Sequence, residues 1–213
     1  MCCSHVPVMR QKHTMPDNSE QHSRRMARKK AVIDSAIAKA SQDKGLLLVL
    51  TGNGKGKSSS AFGMVARSLG YGFKVGVAQF LKSRRDTGEE KFLGQQAGVN
   101  WQVLGDGFTW DTQDKAADIK TAQRGWQVAQ GLLRDASLHL VVLDELTYLL
   151  NYGYLDAKQV CADLAARPAM QHIVITGRAA PDCLLELADT VSEIADVKHA
   201  YRAGIKAQPG IDL

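Results

Sequence analysis

Three glycines, two lysines and a hydroxyl crowd into Gly52-Asn53-Gly54-Lys55-Gly56-Lys57-Ser58, inside the longer stretch Thr51 to Ser60. These residue types suit the binding of a phosphate chain. Glycines let backbone N–H groups converge on an anion. A helix beginning there adds the positive end of its dipole. Lys57 supplies a full charge, and the Ser58 hydroxyl can ligate Mg²⁺. The usual spacing, G-x-x-x-x-G-K-[ST], would place the first glycine at position 51. Position 51 is Thr51, and Gly52 yields G-x-x-x-G-K-S, one residue short. The shorter loop is expected to hold phosphates in a pose unlike that of an ordinary ATPase. A glycine-rich turn with a chance Lys-Ser is the competing reading. The setting opposes it: the apolar run Gly45 to Leu50 precedes the loop, and Phe62, Val65 and Leu69 share one helical face after it.

A second group of chemistry-bearing residues stands at strand ends. Leu138 to Leu143 is a nearly continuous apolar run that ends in Asp144-Glu145. Such a run is a strand covered on both faces, and a carboxylate at its end can hold Mg²⁺ directly or through water. Whether Asp144 or Glu145 is the closer metal ligand stays open at this point. Arg178 follows the apolar strand His172 to Thr176. Its fixed fork of donors matches phosphate oxygens; a surface arginine is the alternative. Lys82, Arg84 and Arg85 follow another strand, where open α/β sheets bind ligands. They would meet an acidic ligand or form a solvated basic loop. Gly105-Asp106-Gly107-Phe108-Thr109-Trp110 sets two large rings beside glycines. Phe108 and Trp110 serve either as core anchors or as a platform for a flat apolar ligand.

The elements that position these residues are legible from periodicity. Strands are expected at about 46–50, 74–80, 99–104, 138–143, 172–176 and 190–194. Helices are expected from the glycine loop to about 69, over 88–96, 114–135 and 156–166, and over a short 181–188 begun by Pro181. Gly70-Tyr71-Gly72 stops the first of these and leads directly into a strand, a βαβ unit with a parallel return. Ile119, Ala122, Trp126, Ala129 and Leu133 form the stripe that packs the long helix on the sheet. The fold class is α/β. One P-loop NTPase-like (RecA-like) domain over 45–213 is expected, with a mainly parallel sheet of about six strands and helices on both faces. A basic N-terminal arm, 1–44, is expected to be partly disordered or helical, with disorder to about residue 24 and a helix over 25–41.

Composition bounds the function. The chain has 213 residues and a formal charge of +5. Much of that charge lies in the arm, where Arg24, Arg25, Arg28, Lys29 and Lys30 cluster. The rest is close to neutral, which argues against a nucleic-acid surface. No apolar run approaches the roughly 18–20 residues a membrane span requires. The N-terminus lacks the apolar core of a secretory signal, and Cys2 stands where N-myristoylation needs glycine. A soluble cytoplasmic protein is expected, without membrane or nucleic-acid partners. Cys2, Cys3, Cys161 and Cys183 form no C-x-x-C pair and no zinc spacing, and are read as reduced thiols without a structural role. No Ser/His/Asp constellation is apparent.

Taken together, several segments resemble the P-loop corrinoid adenosyltransferases, the ATP:cob(I)alamin adenosyltransferase family. They are Thr51 to Ser59, Gln79 to Lys82, Gly107 to Trp110, Val141 to Tyr148, Ile175 to Arg178, Ala188 to Glu193, Val197 to His199, and Gly204 to Ile211. The resemblance spans about 45–213, and the short glycine loop, the GFTW loop and the VVLDELTY strand are specific as a set. It implies transfer of the 5′-deoxyadenosyl group of ATP to the cobalt of reduced cob(I)alamin, cob(I)yrinic acid a,c-diamide or another corrinoid, in adenosylcobalamin synthesis and corrinoid salvage. Cob(I) would attack C5′ and expel triphosphate. It further implies ATP held with its phosphates reversed relative to ordinary P-loop enzymes.

By the same likeness, Gly52, Asn53, Gly54, Lys55, Gly56, Lys57, Ser58, Ser59, Arg67, Glu145 and Arg178 would bind the nucleotide. Lys57 and Arg178 would stabilise the leaving charge. Ser58, in place of the family's common Thr, and Glu145 would hold Mg²⁺ or Mn²⁺. Phe108 and Trp110 would press on the corrin's lower face, exclude axial ligands and ease reduction of cobalt. The chain lacks the D-x-H-x-x-G pattern that would give cobalt a protein histidine, which fits that scheme. A reduced flavoprotein is the implied electron donor, and a homodimer with the arm closing the site is the implied assembly. The competing reading is a P-loop ATPase acting on nucleic acid, with Asp144-Glu145 as its acid pair.

Overall fold

The computed structural model describes residues 18–81, 87–105 and 114–212. The chain divides between Asp43 and Lys44 into two compact units. The first carries helix α1, Asn18–Lys39. It begins before the expected position near 25, so residues 18–24, expected to be disordered, are helical. Glu20 and Arg24, four residues apart on that first stretch, pair at 3.7 Å and support it. Met26, Val32, Ile33 and Ile37 are all exposed on α1.

The second unit runs β1 (Leu47–Thr51), α2 (Lys57–Gly70), β2 (Val75–Gln79), α3 (Gly88–Leu93), β3 (Val99–Val103), α4 (Lys115–Arg134), β4 (Leu140–Asp144), α5 (Leu146–Asn151), α6 (Ala157–Ala165), β5 (His172–Thr176), α7 (Asp182–Leu187) and β6 (Thr190–Glu193), followed by a 3₁₀ turn, Ala200–Ala203. The strands form one 6-stranded sheet in the order β3-β2-β4-β5-β1-β6. Every pairing is parallel, so the connecting helices must cross over the faces of the sheet.

Side-chain alternation along the strands sorts the core into two layers. Leu50, Val75, Val77, Leu140, Val142 and Val174 face α2 and α3, meeting Ala61, Phe62, Val65 and Leu93. Leu47, Val49, Ala78, Val141, Leu143, Ile173 and Ile175 face the other way. There they meet the α4 stripe of Ala122, Trp126, Ala129 and Leu133, together with Leu146, Leu164 and Leu184. The central strands β2 and β4 are buried along their whole length, as continuous apolar runs require, whereas the edge strand β6 is exposed throughout. Asp114 caps α4 by accepting from the N–H groups of Ala116 and Ala117, and Asp156 caps α6 in the same way through Lys158 and Gln159.

Helix α5 has no counterpart among the expected elements. Leu146, Thr147, Leu149 and Leu150 are all buried, so it lacks the polar face that would reveal a helical period. The observed α/β architecture, with its parallel sheet covered on both faces, is consistent with a P-loop NTPase-like domain.

Candidate active site

The glycine loop joins β1 to α2 at the carboxyl edge of the sheet. Gly52 has φ 96 and Gly56 has φ 116, both left-handed. A Cβ on Gly52 would stand 2.5 Å from the Ile194 carbonyl oxygen, and one on Gly54 2.5 Å from that of Ala195. Gly54 N–H donates to the Ile194 carbonyl at 2.7 Å, and Ile194 N–H donates to that of Thr51 at 2.9 Å. The shortened loop is thus pressed against the chain leaving β6, and only residues without side chains allow that approach.

Lys57 opens α2 and is almost wholly buried. Its ammonium folds back over the loop and donates to the carbonyls of Gly52 and Gly54, at 2.8 Å each. Burial pushes its pKa below the ordinary lysine value; Glu145 opposes that, Arg178 reinforces it, and Asp144 opposes it.

The strand ends carry a polar chain that crosses four adjacent strands. Trp101 on β3 donates its Nε1–H to Oε1 of Gln79 on β2 at 2.9 Å. Gln79 donates through Nε2 to Oδ2 of Asp144 on β4 at 3.1 Å. Thr176 on β5 donates its hydroxyl to Oδ1 of Asp144 at 2.7 Å. Asp144, Gln79 and Thr176 are buried, so these bonds replace the water the carboxylate gives up. The next residue, Glu145, turns at φ 61, ψ 25. A left-handed non-glycine residue costs about 1–3 kcal/mol and persists where its surroundings enforce it. Here Glu145 N–H donates to Oγ1 of Thr176 at 2.9 Å. The turn sends Asp144 into the sheet and leaves Glu145 lining the cleft.

The loop after β5 is held from two sides. Gly177 lies at φ 142, and a Cβ there would fall 2.0 Å from Oγ1 of Thr147. The Arg178 carbonyl accepts from the Thr147 hydroxyl at 2.7 Å and from Asn151 Nδ2 at 3.0 Å, so α5 anchors the arginine's backbone. Ala180 N–H donates to the Thr51 hydroxyl at 3.3 Å.

These pieces enclose a cleft of about 680 Å³. Asn53, Gly54, Lys55, Gly56, Lys57, Ser58, Ser59, Glu145 and Arg178 all line it. Gly52 lies beneath, reached through its carbonyl. Arg67 is exposed on α2 and is not among the lining residues, although its neighbour Ala66 is. Phe108, Trp110, Lys82, Arg84 and Arg85 lie outside the described residues.

Other lining groups are not foreseen from the sequence: Gly88, Glu89, Phe92 and Leu93 of α3, Tyr148 of α5, and Gly210, Ile211 and Asp212 of the tail. Tyr148, Gly210 and Ile211 lie in segments that carry the family resemblance, which is the available signal. Burial, followed by the Glu145 charge, pushes the Tyr148 phenol up. Away from the cleft, the free thiols Cys161 and Cys183 lie with sulfurs 3.2 Å apart, and burial together with Cys183 pushes Cys161 up to about 12.

Among the described residues no group of three or more His, Cys, Asp or Glu could hold a metal by itself. Chemically, the cleft is an anion cradle with the Glu145 carboxylate at the end of β4 facing it. It combines loop amides and the cations Lys55, Lys57 and Arg178 with the Ser58 hydroxyl and Glu145.

The sequence model of the family described as ATP:corrinoid adenosyltransferase BtuR/CobO/CobP matches residues 43–213. A corrinoid adenosyltransferase of Pseudomonas aeruginosa is 56% identical over 199 residues, covering 93% of this chain and 98% of that protein. The corrinoid adenosyltransferase of Escherichia coli K12 is 47% identical over 195 residues, covering 92% and 99%. The corrinoid adenosyltransferase CobA of Salmonella typhimurium is 46% identical over 195 residues, with the same coverage. A family match that takes in the whole glycine loop, both strand-end acids and the Arg178 loop, joined to identities at this level across nearly the full chain, means that the protein belongs to the ATP:corrinoid adenosyltransferase family.

Proposed function

We infer that this chain transfers the 5′-deoxyadenosyl group of ATP to the cobalt of a reduced corrinoid and releases triphosphate. One observation carries the reading: in a chain of this family, the loop amides, Lys57 and Arg178 converge on one cleft with Glu145. In the reaction the cobalt(I) electron pair forms the Co–C5′ bond. The C5′–O bond breaks, and its electron pair leaves on the triphosphate. The chemistry therefore needs a site that stabilises charge growing on phosphate oxygens. The amides of Asn53 and of Lys55 to Ser59, with Lys57 and Arg178, supply it, the Gly54 N–H being engaged by the Ile194 carbonyl. Lys57 is preorganised for this: two of its N–H groups are held by Gly52 and Gly54, which leaves the third for a phosphate oxygen.

A divalent cation fits the donor set. Ser58 and Glu145 offer two hard oxygen ligands at the cleft, and phosphate oxygens and water would complete the shell that Mg²⁺ or Mn²⁺ prefers. The ion would offset negative charge on the departing triphosphate. Asp144 is assigned a positioning role, since Thr176 and Gln79 engage both its oxygens below the cleft. Gly52 shapes the loop, Lys55 and Ser59 complete the cradle, and Arg67 is assigned to the nucleotide from the family resemblance.

Phe108 and Trp110 are assigned to the corrin's lower face, where apolar rings would exclude axial ligands and ease reduction by a reduced flavoprotein. We assign catalysis to the domain 45–213 and a closing role to the arm 1–44 within a homodimer. We assign a cytoplasmic setting as part of this reading. Separately, among the described residues no helix is long and apolar enough to cross a membrane. The test is product analysis with Mg-ATP and chemically reduced cob(I)alamin. Inorganic triphosphate and adenosylcobalamin in equal amounts are expected. ADP and phosphate, stimulated by DNA or RNA, would instead mark an ATPase acting on nucleic acid.

A further inference from the structure

The tail places an acid of the protein's own beside the cations of the anion cradle. Gln208-Pro209-Gly210-Ile211 closes a turn in which Ile211 N–H donates to the Gln208 carbonyl at 3.2 Å and Gly210 has φ 79. Proline followed by a left-handed glycine is the type II pattern. Asp212 completes the turn: its N–H donates to the same carbonyl at 2.8 Å, and its Oδ2 accepts from Gln208 N–H at 3.0 Å. Its other oxygen accepts from Nζ of Lys55, on the glycine loop. Gly210, Ile211 and Asp212 line the cleft together with Lys55. The bond from Lys55 is the foremost cause holding the Asp212 carboxyl below the usual range, and His199 adds to it more weakly.

We propose that Asp212 is an internal anion that competes with the polyphosphate for Lys55, and that the tail thereby sets how tightly the site holds nucleotide and how readily triphosphate leaves. The proposal rests on the reading that this cleft takes ATP and releases triphosphate. A site that stabilises the leaving charge holds free triphosphate more tightly than it holds the esterified substrate, because the free ion carries more charge on the same oxygens. A carboxylate able to take over Lys55 offsets part of that excess. The exchange is inexpensive in desolvation, since the Lys55 side chain is 51% exposed and that of Asp212 22%. The closed turn keeps the carboxylate near Lys55 whichever partner the lysine holds.

The test uses the full chain and inorganic triphosphate as the probe, titrated by calorimetry at low and high salt. In Asp212→Asn an oxygen remains for Gln208 N–H, so the turn is kept and the charge is lost. Triphosphate is expected to bind about two- to fivefold tighter, the range of an exposed ion pair, with the gain shrinking as salt rises. In turnover, KM for ATP falls and inhibition by added triphosphate strengthens, while Asp212→Glu behaves as the parent. In a Lys55→Gln background the further change Asp212→Asn is without effect. Unchanged or weaker triphosphate binding by Asp212→Asn overturns the proposal, as does an equal gain without Lys55. The two readings fail separately. Tighter triphosphate binding by the variant, with no adenosylcobalamin formed by the parent, removes the assigned reaction and keeps the competing anion. Adenosyl transfer without the tightening does the reverse.

Discussion

The Thr176 hydroxyl donates to Oδ1 of Asp144 at 2.7 Å, and the Thr176 Oγ1 itself accepts from Glu145 N–H at 2.9 Å. One side chain on β5 therefore sets two consecutive acids at the end of β4, one turned into the sheet and one turned to the cleft. Thr176→Val keeps the shape and removes both bonds. A buried carboxylate then loses a donor, and the left-handed turn at Glu145 loses its anchor. The expected loss is about 2–3 kcal/mol in urea unfolding, together with weaker ATP-dependent turnover; Thr176→Ser restores most of both. A valine variant as stable as the parent would show that the hydroxyl is dispensable to the strand end.

Glu145→Gln separates a metal role from that scaffold role. The amide keeps the size of the side chain and the backbone turn but removes the charge. Half-maximal activity is expected to need about tenfold more Mg²⁺ or higher, with folding stability within about 0.5 kcal/mol of the parent for a group at the cleft wall. Titrating Mg²⁺ at saturating ATP reads the first quantity and urea unfolding the second. An unchanged Mg²⁺ requirement would move the metal ligand away from Glu145.

Much of this site was readable from local pattern because local pattern produces it. The apolar run ending in Asp144-Glu145 specifies a buried strand with acids at its tip, and β4 is buried at every position. The glycines of the loop announce a close backbone approach, although their partners, Ile194 and Ala195, lie far along the chain. What escaped the sequence depends on contacts between distant residues or lacks a period. Helix α5 is only six residues long and mostly buried, too short to show a period, and is launched by a left-handed glutamate that no propensity foretells. Gln79 and Trp101 read as ordinary strand residues until the order β3-β2-β4-β5 lines them up with Asp144 and Thr176. Asp212 reaches Lys55 across 157 positions, a pairing that only the folded tail creates.

The aromatic pair is tested by splitting the reaction at its redox step. Phe108→Ala combined with Trp110→Ala removes the apolar surface assigned to the corrin's lower face. Turnover that starts from cob(II) and requires reduction is expected to fall by more than about tenfold, and turnover from supplied cob(I) by less than about threefold. Spectroscopy of bound cob(II) should show the axially unligated species lost in the double variant. Equal damage in both assays would reduce the rings to shaping the fold or binding the substrate.

At the opposite edge of the sheet, His172 ties stability to pH. Its Nδ1 accepts from Leu46 N–H at 3.0 Å, so the bond needs the neutral ring. His139 stands edge-on to it at 4.7 Å between ring centres and stacks on Phe73 at 3.8 Å. Burial, then His139, then Arg167 push the His172 pKa below its ordinary value of 6.5. The unfolded chain therefore takes up this proton at a higher pH than the folded one. Where the unfolded state binds more protons, stability rises with pH. His172 accordingly contributes no pH dependence well above 6.5, and stability declines as pH falls through about 6.5 toward the folded-state value. The fall ends once the folded ring is protonated too. Urea midpoints measured from pH 8 to pH 5 should show this decline, and His172→Asn, whose side-chain oxygen can accept from Leu46 N–H, should flatten it. A parent protein whose midpoint holds steady across that range, or rises toward acid, would mean that the ring meets no penalty for its charge in the folded state.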